Sequence, residues 1–317
     1  MPLAKFFRQI NPGGIPVRKT RPGDFNSSLF LIGGPEKMNI KKAPYRHFGE
    51  SLFIDNGIVQ AVIPLNLGIR IIGFSFSDGE NVFYEQPDDM VNEMTNESGW
   101  RIFGGARLWA SPESSANYYP DSEPISYEIK DNTVILKQRF DPFTGFEKSV
   151  KLTFGENEAA VYPEYFIKNS GEKPAQIALW ALTVMRAGGK QTVKLPLINS
   201  DPFTPMQTYR LWEYTDLSDP RVKISRDTFE IDHFDLDRNF KIGFINYYGH
   251  VEYENSGITF ARDFDGYDAS LKYSDGGVNY ETYMCRHMNE LEVLSPLYTV
   301  APGEEISMKE KWSLSRG

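Results

Sequence analysis

The chain has 317 residues, 40% of them hydrophobic and 24% charged, which is the balance of a globular protein and excludes a disordered one. Its 43 acidic residues exceed the 34 basic ones for a formal net charge of -9. No Lys/Arg cluster is long enough to overcome that charge, so nucleic acid is excluded as a partner and a neutral polar ligand such as a sugar fits better.

Cys285 is the only cysteine, so there is no intrachain disulfide and no thiolate metal cluster. No run of about 18 apolar residues offers a membrane-spanning helix. The start, "MPLAKFFRQINPGG", lacks the continuous apolar segment of a signal peptide, and the expectation is a cytoplasmic protein.

Residues 1–45 are rich in Pro and Gly ("NPGGIPVRKTRPGD") and read as an extended arm, with 46–317 as a single β domain. The segment 67–85, "LGIRIIGFSFSDGENVFYE", predicts a strand carrying Arg70, a turn and a second strand. "DDMVNEM" at 88–94 is the best helical period, and it is short. In 103–125, "FGGARLWASPESSANYYPDSEPI", Arg107 and Trp109 stand in an apolar and aromatic stretch. Tyr118, Tyr119 and Asp121 then predict a loop over a cleft.

"SVKLTF" sets Val150, Leu152 and Phe154 on one face against Ser149, Lys151 and Thr153. "ISMKEKWSL" near the end does the same with Ile306, Met308, Trp312 and Leu314. That alternation marks half-buried antiparallel strands. Turn signals ("KDNT", "KNSGEKP", "SDGG", "APGEE") separate such segments along the chain, and the fold class is all-β, a large antiparallel sandwich or barrel.

The stretch "MNELEVLSPL" raises the functional question. In a strand, Glu290 and Glu292 project to one side and Val293 to the other. The pair is either a solvated face or a site. Arg70 ("GIRIIGF") and Arg107 ("GARLWA") sit in apolar company, as buried ion-pair partners or as donor forks for a ligand. Trp109 and Trp180 are core packing or a stacking platform for a pyranose. Arg286, four residues before Glu290 and of the same parity, is expected on the glutamates' face. No P-loop, G-x-S-x-G elbow or zinc-spaced histidine set is present, so neither a metal nor a cofactor is expected.

Four segments in order, 67–85, 103–125, 179–189 ("LWALTVMRAGG") and 279–314, resemble the galactose mutarotase-like (aldose 1-epimerase-like) superfamily. Within it the chain is most similar to an uncharacterised bacterial branch marked by "GG-x-R-L-W-x-x-P-E" and "E-L-E-x-L-x-P-L". The resemblance covers about Leu52 to Leu314. It implies a supersandwich of two large antiparallel sheets that binds a mono- or oligosaccharide.

It also implies a late-strand glutamate as general base at the anomeric hydroxyl and a histidine as general acid toward the ring oxygen. Glu292 and then Glu290 match the base. Arg70, Arg107, Trp109, Trp180 and Arg286 are the expected binding residues of one shared pocket. The histidines do not match. Ala106, and Trp180 and Thr183, stand near the positions expected for them, and the chain's histidines are His47, His233, His250 and His287. The enzyme reading is aldose-epimerase chemistry; the alternatives are a non-catalytic carbohydrate-binding protein on the same scaffold or a polysaccharide lyase-like activity.

Overall fold

The computed structural model describes residues 38–90, 95–196, 203 and 205–317. Residues 1–37 of the expected arm lie outside the described residues. The arm's last part, Asn39–Pro44, is a strand paired with Glu50–Asp55, and Ile40 packs against the core. Asp88–Met90 is a 3₁₀ turn, and residues 91–94 of the helical period lie outside the described residues. Among the described residues no helix is long and apolar enough to cross a membrane.

Two large antiparallel sheets dominate, as the alternating segments predicted. One has ten strands, running from Val222–Ile224 at one edge to Ser126–Lys130 at the other. The second carries the candidate site. Its order is Tyr209–Leu211, Phe240–Phe244, Tyr280–Met284, Met288–Leu294, Ala175–Arg186, Gly105–Ser111 and Arg70–Ile71, with Tyr298–Val300 pairing the start of Ala175–Arg186. A four-stranded sheet runs from Asn39–Pro44 to Gly73–Phe76.

Period-2 patterning sets what each face does. In Phe146–Phe154 of the ten-stranded sheet, Val150, Leu152 and Phe154 enter the core with Trp312 and Leu314 of Glu305–Arg316. From the site sheet, Ala106, Leu108, Leu179, Ala181, Leu291 and Val293 join that same core. Residues of the other parity, Trp109, Trp180, Leu182, Val184, Met288 and Leu294, form a second apolar cluster with Trp100. Each fully buried Leu, Val or Phe contributes roughly 1.5–3 kcal/mol. The apolar side chains of both parities explain why these strands lack the polar alternation of an edge.

An ion pair crosses the shared core. Arg262 and Glu310 are fully buried, with Nη2 and Oε1 2.6 Å apart. The guanidinium also donates to Leu291 O at 2.6 Å, Ala181 O at 3.2 Å and the Thr183 hydroxyl at 3.0 Å. It thereby tethers, from behind, the two strands that carry Glu290, Glu292 and Trp180.

Candidate functional site

The register of the site sheet assembles the site in two rows. Lys241, Tyr283, Glu290 and Val184 are successive cross-strand partners. In the next row stand Gly243, Glu281, Glu292, Leu182 and Arg107. Direct partners share a face, so these side chains rise on the side turned from the sandwich core. Lys241 and Glu290 are two strands apart, roughly 10 Å between backbones. Gly243 is required where it stands: a Cβ there would meet Val278 Cγ2 at 2.9 Å and Glu281 Cγ at 3.3 Å.

Over these rows lies a cavity of about 440 Å³, a size that suits a small ligand. Arg107, Trp109, Trp180, Lys241, Tyr283 and Glu290 line it from the sheet, and Trp100, Glu113, Tyr118 and Tyr214 from the loops. Trp109 packs edge-on against Trp180 and Tyr118. The glycines of "FGGARLW" bring the chain into the strand Gly105–Ser111: Gly104 and Gly105 have φ of 100° and 67°, and a Cβ would strike Tyr84 O at 2.1 Å or Ile71 O at 2.3 Å.

Two cations organise the carboxylates. Arg107 Nη1 donates to Glu290 Oε1 at 3.1 Å while its guanidinium lies 4.5 Å from the Trp109 ring centre. Lys241 Nζ lies 3.1 Å from Glu281, 3.2 Å from Glu292 and 3.6 Å from Glu113, and 4.7 Å from the Trp180 ring centre. Trp180 Nε1 donates to Glu292 Oε2 at 3.0 Å, and the Tyr118 hydroxyl donates to Glu113. Glu281 Oε1 and Glu292 Oε1 are buried with no hydrogen-bond partner.

Burial pushes the Glu292 carboxyl up to about 7; Lys241 opposes the shift and Glu290 adds to it. Burial likewise holds Glu281 well above the usual carboxylate range, against the pull of Lys241 and with the push of Glu292. For Lys241, burial disfavours the ammonium, but Glu292, Glu281 and Glu113 outweigh it and hold the amine protonated well above the usual lysine range. Two carboxyl groups face each other over one ammonium in a dry site, so they titrate as a unit and hold a proton near neutral pH.

Of the residues singled out in the sequence, Arg107, Trp109, Trp180 and Glu290 line the cavity. Glu292 lies beneath the lining, 0% exposed, and reaches it through Trp180 and Lys241. Arg70 pairs with Arg107 in register, but its guanidinium is engaged by both Asp121 oxygens at 3.1 Å and by Leu67 O, and it does not line the cavity. Asp121 is therefore the ion-pair partner of Arg70. Tyr119 stacks on Phe143, and only Tyr118 of the predicted loop lines the cavity.

Arg286 lies away from the cavity. The strand ends at Met284, Cys285 N bonds Met288 O, and the hairpin turn between breaks the parity that placed Arg286 beside Glu290. Its guanidinium pairs with Asp235 at 2.9 Å in solvent. Ala106 and Thr183 face the sandwich core, so histidines there would point away from the cavity. His233 bonds Cys285 O, His250 lies between Asp263 and Glu252, and no histidine lines the cavity.

Lys241, Glu281, Glu113, Trp100, Tyr214 and Tyr283 were not singled out from the sequence. For two of them the signal was the one that drew attention to Glu290, a charge inside an apolar strand: Lys241 in "FKIGF" and Glu281 in "YETYM".

No family model and no curated protein matches this chain. Solved structures do. A galactose mutarotase-like protein from Lactobacillus casei superposes with a TM-score of 0.53 at 13% identity, over 84% of this chain and 100% of its own. A galactose mutarotase-like protein from Clostridium acetobutylicum gives 0.54 at 8% identity, over 89% and 100%. A TPR-domain containing protein from Parabacteroides distasonis gives 0.55 at 14% identity over 84% of this chain, which spans about half, 47%, of that protein. The ordered motifs, the two antiparallel sheets and these superpositions agree on one architecture: this chain has the galactose mutarotase-like fold.

Proposed function

We propose that this protein is a carbohydrate-active enzyme that binds a sugar in this cavity and interconverts its anomers by acid–base chemistry. The observation that carries the reading is Glu290: a carboxylate on the wall of an aromatic cavity, fixed by Arg107 at 3.1 Å. Aromatic walls suit the apolar face of a pyranose, and the carboxylates accept from its hydroxyls.

In this scheme Glu290 takes the proton of the anomeric hydroxyl. The electrons of that O–H bond form the carbonyl at C1, the C1–O5 bond breaks, and O5 takes a proton from the Lys241 ammonium. Lys241 alone is a weak acid. The proton it gives is replaced from the Glu281–Glu292 pair, its contacts at 3.1 and 3.2 Å, so no bare amine is left in the site. Rotation about C1–C2 and reversal of the steps close the ring as the other anomer. Glu292 serves here as the store of the acid's proton, and Glu290 as the base.

A sugar-soaked structure tests the arrangement. The anomeric oxygen is expected within hydrogen-bond reach of Glu290 and the ring oxygen facing Lys241. A sugar bound elsewhere, or with its C1 turned to solvent, contradicts it. One observation favours the non-catalytic reading: no histidine lines the cavity. Saturable binding with no acceleration of anomer exchange would establish that alternative.

A further inference from the structure

Among the described residues the charges of the cavity do not balance. The charged lining residues among them are Arg107, Glu113, Lys241 and Glu290, and Glu281 and Glu292 join these through Lys241. Four carboxyl groups thus face two cations, and even with one proton held by the Glu281–Glu292 pair a net negative charge is left over.

Both cations already hold carboxylates. Arg107 is engaged by Glu290, and Lys241 has carboxylate oxygens at 3.1 and 3.2 Å. Glu113 is the loosely held acid. Its side chain is 31% exposed, Lys241 stands 3.6 Å away, and its other contact is the Tyr118 hydroxyl. Tyr118, Tyr214 and Tyr283 add aromatic rings to the lining, a residue type whose ring face attracts a cation and repels an anion.

We infer that the cavity selects a sugar bearing a protonated amine over its neutral counterpart and rejects phosphorylated and uronic-acid sugars, with Glu113 as the specificity-determining residue. This rests on the sugar-binding reading above. The ammonium sits between Glu113 and the tyrosine rings. There it meets a partly desolvated carboxylate, a setting that gives charge-assisted hydrogen bonds more than their aqueous strength. A phosphate or carboxylate in the same place meets Glu113 and Glu290, whose charge adds to the carboxylate excess of the cavity.

Calorimetric titration of the full chain with glucosamine and galactosamine, glucose and galactose, their 6-phosphates and the matching uronic acids tests the inference, at a pH where the amines are protonated. The expected result is an amino sugar bound about tenfold or more tighter than its neutral parent, the anionic sugars weakest, and an advantage that shrinks with added salt. Glu113→Gln is expected to cut the amino-to-neutral ratio by about tenfold, as loss of a charge-assisted partner does, and Glu113→Asp to keep most of it. Neutral sugars bound as tightly as amino sugars, or phosphosugars bound more tightly, would overturn the inference while leaving the sugar site standing. No binding by any member of the panel would overturn both.

Discussion

Glu281 and Glu292 stand directly opposite each other on neighbouring strands, and one ammonium, Lys241 Nζ, serves both at 3.1 and 3.2 Å. Like charges in direct cross-strand pairs repel, and burial raises the cost. The cluster persists because a lysine two strands from Glu292 reaches back over Gly243 and because the pair retains a proton.

The pH dependence of stability follows from that proton. The folded pKa of Glu292 is raised, to about 7 against an ordinary 4.5, so between those values the folded chain binds more protons than the unfolded chain. Stability must then fall as pH rises through that window. Urea unfolding from pH 4.5 to 7.5 should show the decline, and Glu292→Gln should flatten it. A slope unchanged in the variant would locate the titration elsewhere.

Replacing Lys241 with Met leaves buried carboxyl groups with no counter-charge. The expected loss is about 3–5 kcal/mol at pH 7.5, the cost of breaking a buried pair, and less at pH 5 where the acids can be protonated. Equal losses at the two pH values would mean that Lys241 contributes by packing alone.

Arg262→Met should likewise cost about 3–5 kcal/mol, because Glu310 is left in the core without a counter-charge, held only by the Trp312 and Tyr165 donors. The double variant Arg262→Met, Glu310→Leu should recover much of that stability, since neither charge of this pair then lies buried. Chemical denaturation of the single and double variants measures the difference. A double variant as unstable as the single one would assign the effect to the lost tether on Leu291 O and Ala181 O.

Arg286→Ala is expected to leave both melting temperature and sugar affinity unchanged within error. Its pair with Asp235 is solvated, with the two side chains 42% and 73% exposed. A severalfold weaker sugar affinity would bring Arg286 into the site after all.

The strands, the faces of Glu290 and Val293, and the core positions of the alternating segments were legible because period-2 patterning is local. The site was legible only where one strand or one motif carried it. Glu290, Arg107, Trp109 and Trp180 lie on the cavity side because parity holds within a continuous strand. Arg286 was misplaced because a turn resets parity, and no residue between Met284 and Met288 announces that turn as Gly or Pro would. Arg70 has the right face but the wrong partner: Asp121 arrives from a loop 51 residues away. Lys241 carried a local signal, a charge inside an apolar strand, but its partners come from strand pairing, and Glu113 joins the site from a loop that no local pattern encodes. Ala106 and Thr183 looked like gaps where histidines were lost, yet both face the sandwich core.

The central claim is that Glu290 performs base chemistry on a bound sugar, and NMR exchange between α and β anomers tests it most directly. Across a panel of amino sugars, hexoses and pentoses, the wild-type protein is expected to accelerate exchange for at least one sugar. Glu290→Gln should reduce that acceleration by about 10²–10⁴-fold, the usual contribution of a general base, while saturable binding persists. Acceleration undiminished in Glu290→Gln, or absent throughout the panel for the wild-type protein, would contradict it.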